Sequence, residues 1–219
     1  MPGDAPNGWY VHDRRGGERR VVAAHPGEPL GRHELDELYG LALAEGLKAE
    51  VSVLSGPADP ELVPADAYRR LALDLSSNGG RVAADLSGEQ LAAVVAGHPT
   101  FVKVSDEELT EDPDAALRRL RAEGADTVLV SRAERPALAL VDDEILEVRM
   151  PKLEVADHRG AGDSLTAGVV SMLARGADVR TAIRTGAAAG AVNVTRHGLG
   201  TGRLDAIRAL AERVELVPV

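Results

Sequence analysis

The run Asp157-His158-Arg159-Gly160-Ala161-Gly162-Asp163 places a Gly-Ala-Gly turn at the start of an apolar helical stretch that reaches Arg175. Small residues at a helix start leave backbone N–H groups free to converge on one spot. Together with the helix dipole they make that spot an anion site suited to phosphate. Asp163 stands at its rim, where a carboxylate could take the proton of a hydroxyl attacking that phosphate. Anion cradle and base within four residues point to phosphoryl transfer.

Other chemistries fit the same residues less well. A dinucleotide turn of the form G-x-G-x-x-G needs glycine where Leu165 stands, and a P-loop needs Gly-Lys-Ser/Thr, which the chain lacks. Gly162-Asp163-Ser164-Leu165 spells a serine-hydrolase tetrapeptide, but that family wants the block near the N-terminus and an Asp three residues before a late His. No Asp precedes His197 at that spacing. A glycine turn that only lets helix and strand pack closely stays open.

The elements around the turn follow from the pattern. Trp9 to Asp13 and Arg19 to Ala24 read as two strands joined through Arg15-Gly16-Gly17. Beyond Pro26 and Pro29, helices and strands alternate. Helices are expected over Arg32 to Glu45, Ala65 to Ser77, a short stretch after Ser87, and Asp114 to Glu123. Strands are expected over Val51 to Leu54, Arg81 to Asp85, Phe101 to Val104, Thr127 to Ser131, Ala137 to Val141 and Ile145 to Val155. Three helices, Asp163 to Arg175, Asp178 to about Arg196 and Arg203 to Arg213, are expected to finish the chain. The alternation predicts an α/β fold with a parallel sheet covered on both faces, and ligands outside the C-terminal strand ends.

Composition bounds the partners. The 219 residues carry a net charge of −10, so nucleic acid and anionic membrane surfaces are not expected partners. There is no Cys, which excludes disulfides and thiolate chemistry. The start Met1-Pro2-Gly3-Asp4 has no apolar signal region and no run approaches membrane-spanning length, so a cytoplasmic protein is expected. Only three lysines occur, Lys48, Lys103 and Lys152, which draws attention to each.

With these residues in place, the Asp157-x-x-Gly-Ala-Gly-Asp motif and its small-residue helix resemble the C-terminal signature of the PfkB (ribokinase-like) carbohydrate kinases, in the phosphofructokinase-like branch. The resemblance implies that Asp163 is the catalytic base and that Gly160, Ala161 and Gly162 form the anion hole. Phe101-Val102-Lys103-Val104-Ser105-Asp106-Glu107-Glu108-Leu109 is similar to the family's Lys-Pro-Asn-x-x-Glu-Leu stretch. By that likeness Lys103 and Ser105 serve the nucleotide, and Glu108 holds magnesium through water; Ser105 and Val104 replace the usual Asn and Pro. Thr127 to Leu138 resembles the nucleotide loop read as Ser-x-Gly-x-x-Gly, which keeps Ser131 beside Arg132 but has Ala133 and Pro136 for its glycines. Gly186 to Asn193 looks like the small-residue helix beside the adenine, with Asn193 as its neighbour; ordinary close helix packing is the other reading.

The resemblance implies a ribokinase-like three-layer α/β/α sandwich, N-terminally truncated, with residues 1–24 as a β-hairpin lid and 25–219 as the kinase core. It also implies ATP and Mg2+, a monovalent cation near the final loops, a sugar or sugar phosphate as acceptor, and a homodimer. The chain departs from the family in lacking the sugar-binding Gly-Gly-Lys-Gly-like segment, and Ser55-Gly56-Pro57-Ala58 stands for the usual Ser-Gly-Ser-Leu turn. Two functions therefore remain: an ATP-dependent kinase, or a non-enzymatic nucleotide-binding or regulatory relative that dimerises through the lid.

Overall fold

The central strands are buried almost continuously, and the side on which each residue is buried alternates with a period of two, which sets the layers. Val82 and Ala84, Val102 and Val104, and Val128 and Val130 all face one buried cluster. Ala83, Phe101 and Leu129, at the alternate positions of the same strands, face a second cluster on the other side. A sheet buried on both faces must be covered by helices twice. The computed structural model describes every residue except 1–6, 14, 16–19, 58, 152 and 197. Gly16, Gly17, Arg19, Ala58, Lys152 and His197 therefore lie outside the described residues.

Two strands come first, β1 (Trp9–Asp13) and β2 (Arg20–His25), paired antiparallel as a separate two-stranded sheet. Then follow α1 (Arg32–Gly46), β3 (Ser52–Ser55), α2 (Ala65–Ser77), β4 (Val82–Asp85), α3 (Gly88–Val95), β5 (Phe101–Ser105), α4 (Pro113–Glu123) and β6 (Val128–Arg132). β7 (Arg135–Val141) and β8 (Glu144–Arg149) lead to α5 (Ala161–Ala174), α6 (Val179–Val194), α7 (Leu204–Ala211) and β9 (Glu215–Pro218). Strands β3 to β9 form a seven-stranded sheet in sequence order. Helices α2, α3 and α4 supply Leu71, Leu75, Leu91, Val94, Leu117 and Leu120 to one face. Helices α5, α6 and α7 supply Val169, Leu173, Ile183, Ala188 and Leu210 to the other. This is the three-layer α/β/α sandwich expected.

Local chemistry explains the helix limits near the site. In α2 the buried residues Tyr68, Leu71, Ala72 and Leu75 follow helical spacing. Asp112 caps α4 by accepting from the Asp114 N–H at 2.9 Å, and Pro113 fills the first position, where no N–H is needed. Asp178 caps α6 through the Thr181 N–H at 2.9 Å.

Three expectations are corrected. The sheet is mixed: β3 to β6 are parallel, while β6 to β9 pair antiparallel. Short linkers decide this for β6 to β8, because a parallel crossover needs a dozen or more residues; β9 joins β8 antiparallel after three helices. Only Asp142 and Asp143 join β7 to β8, both at positive φ (51° and 64°), as a tight hairpin turn requires. The expected strand over Ile145 to Val155 ends at Arg149; Pro151 has no N–H to extend the ladder. The chain also closes with β9 after its three final helices, pairing with β8 at the sheet edge, where Pro218 is tolerated. Among the described residues no helix is long and apolar enough to cross a membrane.

Candidate active site

Parallel strands bring their C-terminal ends to one rim. In register, Asp85 lies beside Lys103, and Ser105 beside Ser131. Lys103 shares its face of β5 with Phe101, so its side chain runs toward α5. A Cβ built on Gly162 would lie 2.9 Å from the Lys103 ammonium nitrogen, which places that charge against the first turn of α5. Lys103 is only 8% exposed. Its Nζ pairs with Asp85 Oδ1 at 3.0 Å, and the Thr166 hydroxyl on α5 donates to Asp85 Oδ2 at 2.8 Å. Asp85 and Thr166 escaped the sequence reading. The available signal was a carboxylate ending the strand next to the one that carries the lysine.

The Gly-Ala-Gly turn opens α5. Gly160 caps α5 with φ 69° and ψ 11°, a left-handed conformation that favours glycine. A Cβ there would also meet Leu199 Cδ2 at 2.9 Å. The N–H groups of Ala161, Gly162 and Asp163 open the helix, where no intrahelical acceptor exists. Asp163 is exposed, and among the described residues its carboxylate has no hydrogen bond or ion pair. Gly160, Ala161 and Gly162 are thus half-buried and Asp163 is exposed, with the buried Lys103 ammonium against the same turn.

The remaining candidates divide. Glu108 Oε2 accepts the Ser105 N–H at 2.8 Å, which caps the short turn Asp106–Glu108. Ser131 donates to the Val104 carbonyl at 3.4 Å, across β5 and β6. Arg132 folds back on its own hairpin: Nε donates to the Pro136 carbonyl at 2.6 Å, and Nη2 lies 3.6 Å from Glu147. Asn193 is 1% exposed, donates to the Arg159 carbonyl at 2.5 Å and accepts from the Gly200 N–H at 3.2 Å. Asp106, also unmarked in the sequence, pairs with Arg135 and keeps a buried Oδ1 with no partner.

The hairpin reaches the same place. The Arg159 Nη2 lies 2.8 Å from His12 Nε2 on β1, and its guanidinium sits 5.5 Å from the Tyr10 ring centroid. The two-stranded sheet thus meets the loop that leads into α5.

Comparison with known proteins gives the family and the fold. Residues 1–206 match the pfkB family carbohydrate kinase. Over 170 residues the chain is 29% identical to the 1-phosphofructokinase of Bacillus subtilis (strain 168), covering 73% of this chain and 55% of that enzyme. It thus spans about half the length of that relative. The structure of phosphofructokinase-2 from Escherichia coli in complex with potassium is 26% identical and superposes with a TM-score of 0.79, over 93% of this chain and 69% of that one. Ribokinase from Thermotoga maritima, 18% identical with a TM-score of 0.72 over 95% of this chain and 70% of its own, shares the fold. The chain belongs to the pfkB family of carbohydrate kinases.

Proposed function

We propose that this chain catalyses transfer of the γ-phosphoryl group of ATP to a hydroxyl of a sugar phosphate, with a fructose phosphate as the first acceptor to test. The observation that carries the reading is the open carboxylate of Asp163 in the same helical turn as the free amides of Ala161 and Gly162, above the buried Lys103. Asp163 takes the acceptor's proton as the oxygen attacks. The amides of residues 160–162 bind the charge that grows on the transferred group, and loss of such a donor typically costs about 3 kcal/mol in barrier height. Lys103, held by Asp85, presents its charge to the phosphates, with Ser105 and Ser131 beside it on the strand ends. The names of the B. subtilis and E. coli relatives support a fructose phosphate.

Magnesium suits this donor set. It keeps most of its waters and rests on one or two carboxylates plus substrate phosphates, and Asp85 and Glu108 are carboxylates at this rim. Bound there, it would neutralise phosphate charge. A monovalent cation, which the potassium of the E. coli relative suggests, would rest on backbone carbonyls: no cluster of three or more acidic or His side chains able to hold a metal occurs among the described residues.

Residues 1–24 serve in this reading as a lid over the core of residues 25–219, held near the site by Arg159. The exposed Trp9 and Val11, on the side of β1 away from Tyr10 and Arg159, offer the face for a homodimer. The intact base and glycine turn favour the enzymatic reading over the non-enzymatic alternative.

The test is ADP release from ATP-Mg with fructose phosphates, free fructose and ribose as acceptors. Turnover with a fructose phosphate, and much less with the free sugars, is expected. Absence of both ADP release and ATP-Mg binding would contradict the proposal.

A further inference from the structure

We infer that Asn193 is a positioning residue that fixes the entry to the anion cradle, rather than a contact of the nucleotide; its catalytic part of the inference rests on the kinase reading above. Its carboxamide joins two loops that are far apart in sequence. The NH2 group donates to the carbonyl of Arg159, the residue just ahead of Gly160, and the oxygen accepts the Gly200 N–H. One loop offers an acceptor and the other a donor, so only a side chain with both functions can serve them together, and only in one orientation. The side chain is 1% exposed and Arg159 is half-buried, whereas Gly200 is exposed, so losing the carboxamide strands chiefly the Arg159 carbonyl.

The bridge acts at the point where geometry is most constrained. Gly160 must hold φ 69° for α5 to start where it does, and a Cβ there would sit 3.5 Å from Asn193 Nδ2. The carbonyl of Val194, the next residue of α6, takes the Ala156 and Asp157 N–H groups at 2.7 and 3.1 Å. Arg159 is further held by its N–H to Asp157 Oδ1 at 3.1 Å. The last turn of α6 thus holds the loop 156–160 through the Val194 carbonyl and the Asn193 carboxamide. Donors that stabilise a transition state work only when already fixed in place, so loosening this loop should slow the chemical step more than it weakens binding.

The test compares Asn193→Leu, which keeps the bulk and loses both bonds, and Asn193→Ala with Ile183→Val, a buried control on α6 remote from the loop. Backbone hydrogen exchange is read at Arg159, Ser164 and Gly200, beside kcat and KM for ATP. Both Asn193 variants should speed exchange at these amides about tenfold, lower kcat and leave KM for ATP little changed. Ile183→Val should do neither. Should a variant fail to fold, Asn193→Ser, whose hydroxyl can serve one partner well, should fall between parent and Ala. Unchanged exchange at the three amides, or a rise in KM for ATP with kcat retained, would overturn the inference. If the parent shows no kinase activity, the function falls while exchange still judges the bridge.

Discussion

The two flanks of the sheet are built to different completeness. On the α5–α6 side, α6 is buried without a break from Gly186 to Asn193, and Gly168 and Gly186 let the two helices touch backbone to backbone. On the other flank α1 has no buried residue, and Leu38, Leu41 and Leu47 are exposed, as is Val53 on the edge strand β3. The flank that carries the Gly160–Asp163 turn is therefore the more fully packed of the two. Among the described residues β3 pairs only with β4, which leaves an edge with an apolar fringe, the kind of surface that proteins usually cover or protect.

Substitutions at matched positions can break this contrast. Gly186→Ala should have the largest effect: its new Cβ would meet Val169 Cγ2 at 2.4 Å and the Leu165 carbonyl oxygen at 2.6 Å, and a backbone atom cannot give way. We expect a loss of about 3 kcal/mol in urea unfolding, whereas Leu41→Ser on the exposed α1 should stay within about 0.5 kcal/mol. Equal losses would erase the distinction between the flanks.

Ion pairs sharpen it next. The side chains of Lys103 and Asp85 are 10% and 16% exposed, while those of Arg203 and Asp205 are 70% and 67% exposed. Lys103→Met would leave a largely buried carboxylate without its cation and should cost about 3 kcal/mol. Arg203→Met should leave the urea midpoint unchanged. A small loss at Lys103 would mean that Asp85 is served well enough by Thr166 alone.

The smallest effect concerns the β6–β7 turn. Ala133 sits at φ 46°, in the left-handed region, at one of the positions where the family reads glycine. Ala133→Gly should raise stability by about 0.5 kcal/mol, the relief of steric strain exceeding the added chain entropy. Calorimetry showing a lower Tm would contradict the assigned turn geometry.

Local pattern made most of the fold legible. Helix α2 occupies Ala65–Ser77 as its apolar spacing implies, and the hairpin, the glycine turn and the alternating core follow from short stretches. What escaped depends on pairing between distant segments. Short apolar runs do not say whether neighbours run parallel, although the two-residue link Asp142-Asp143 carried that information. Strand β9 is four residues long and takes its form from β8. At the site, the glycine turn and Asp163 were readable because one helix start holds them all. Asp85 and Thr166 matter only through Lys103, 18 residues from one and on a different element from the other. Arg132 shows the converse: sequence position suggested a nucleotide contact, whereas its guanidinium is held by Pro136 and Glu147.

The central claim is that Asp163 acts as base beside the amides of residues 160–162. Its most direct test is turnover by Asp163→Asn with ATP-Mg and the accepted sugar phosphate, alongside calorimetric titration of ATP-Mg. The account predicts that ATP binding and unfolding temperature stay close to those of the parent while kcat falls at least about a hundredfold. Undiminished turnover in the variant would contradict it.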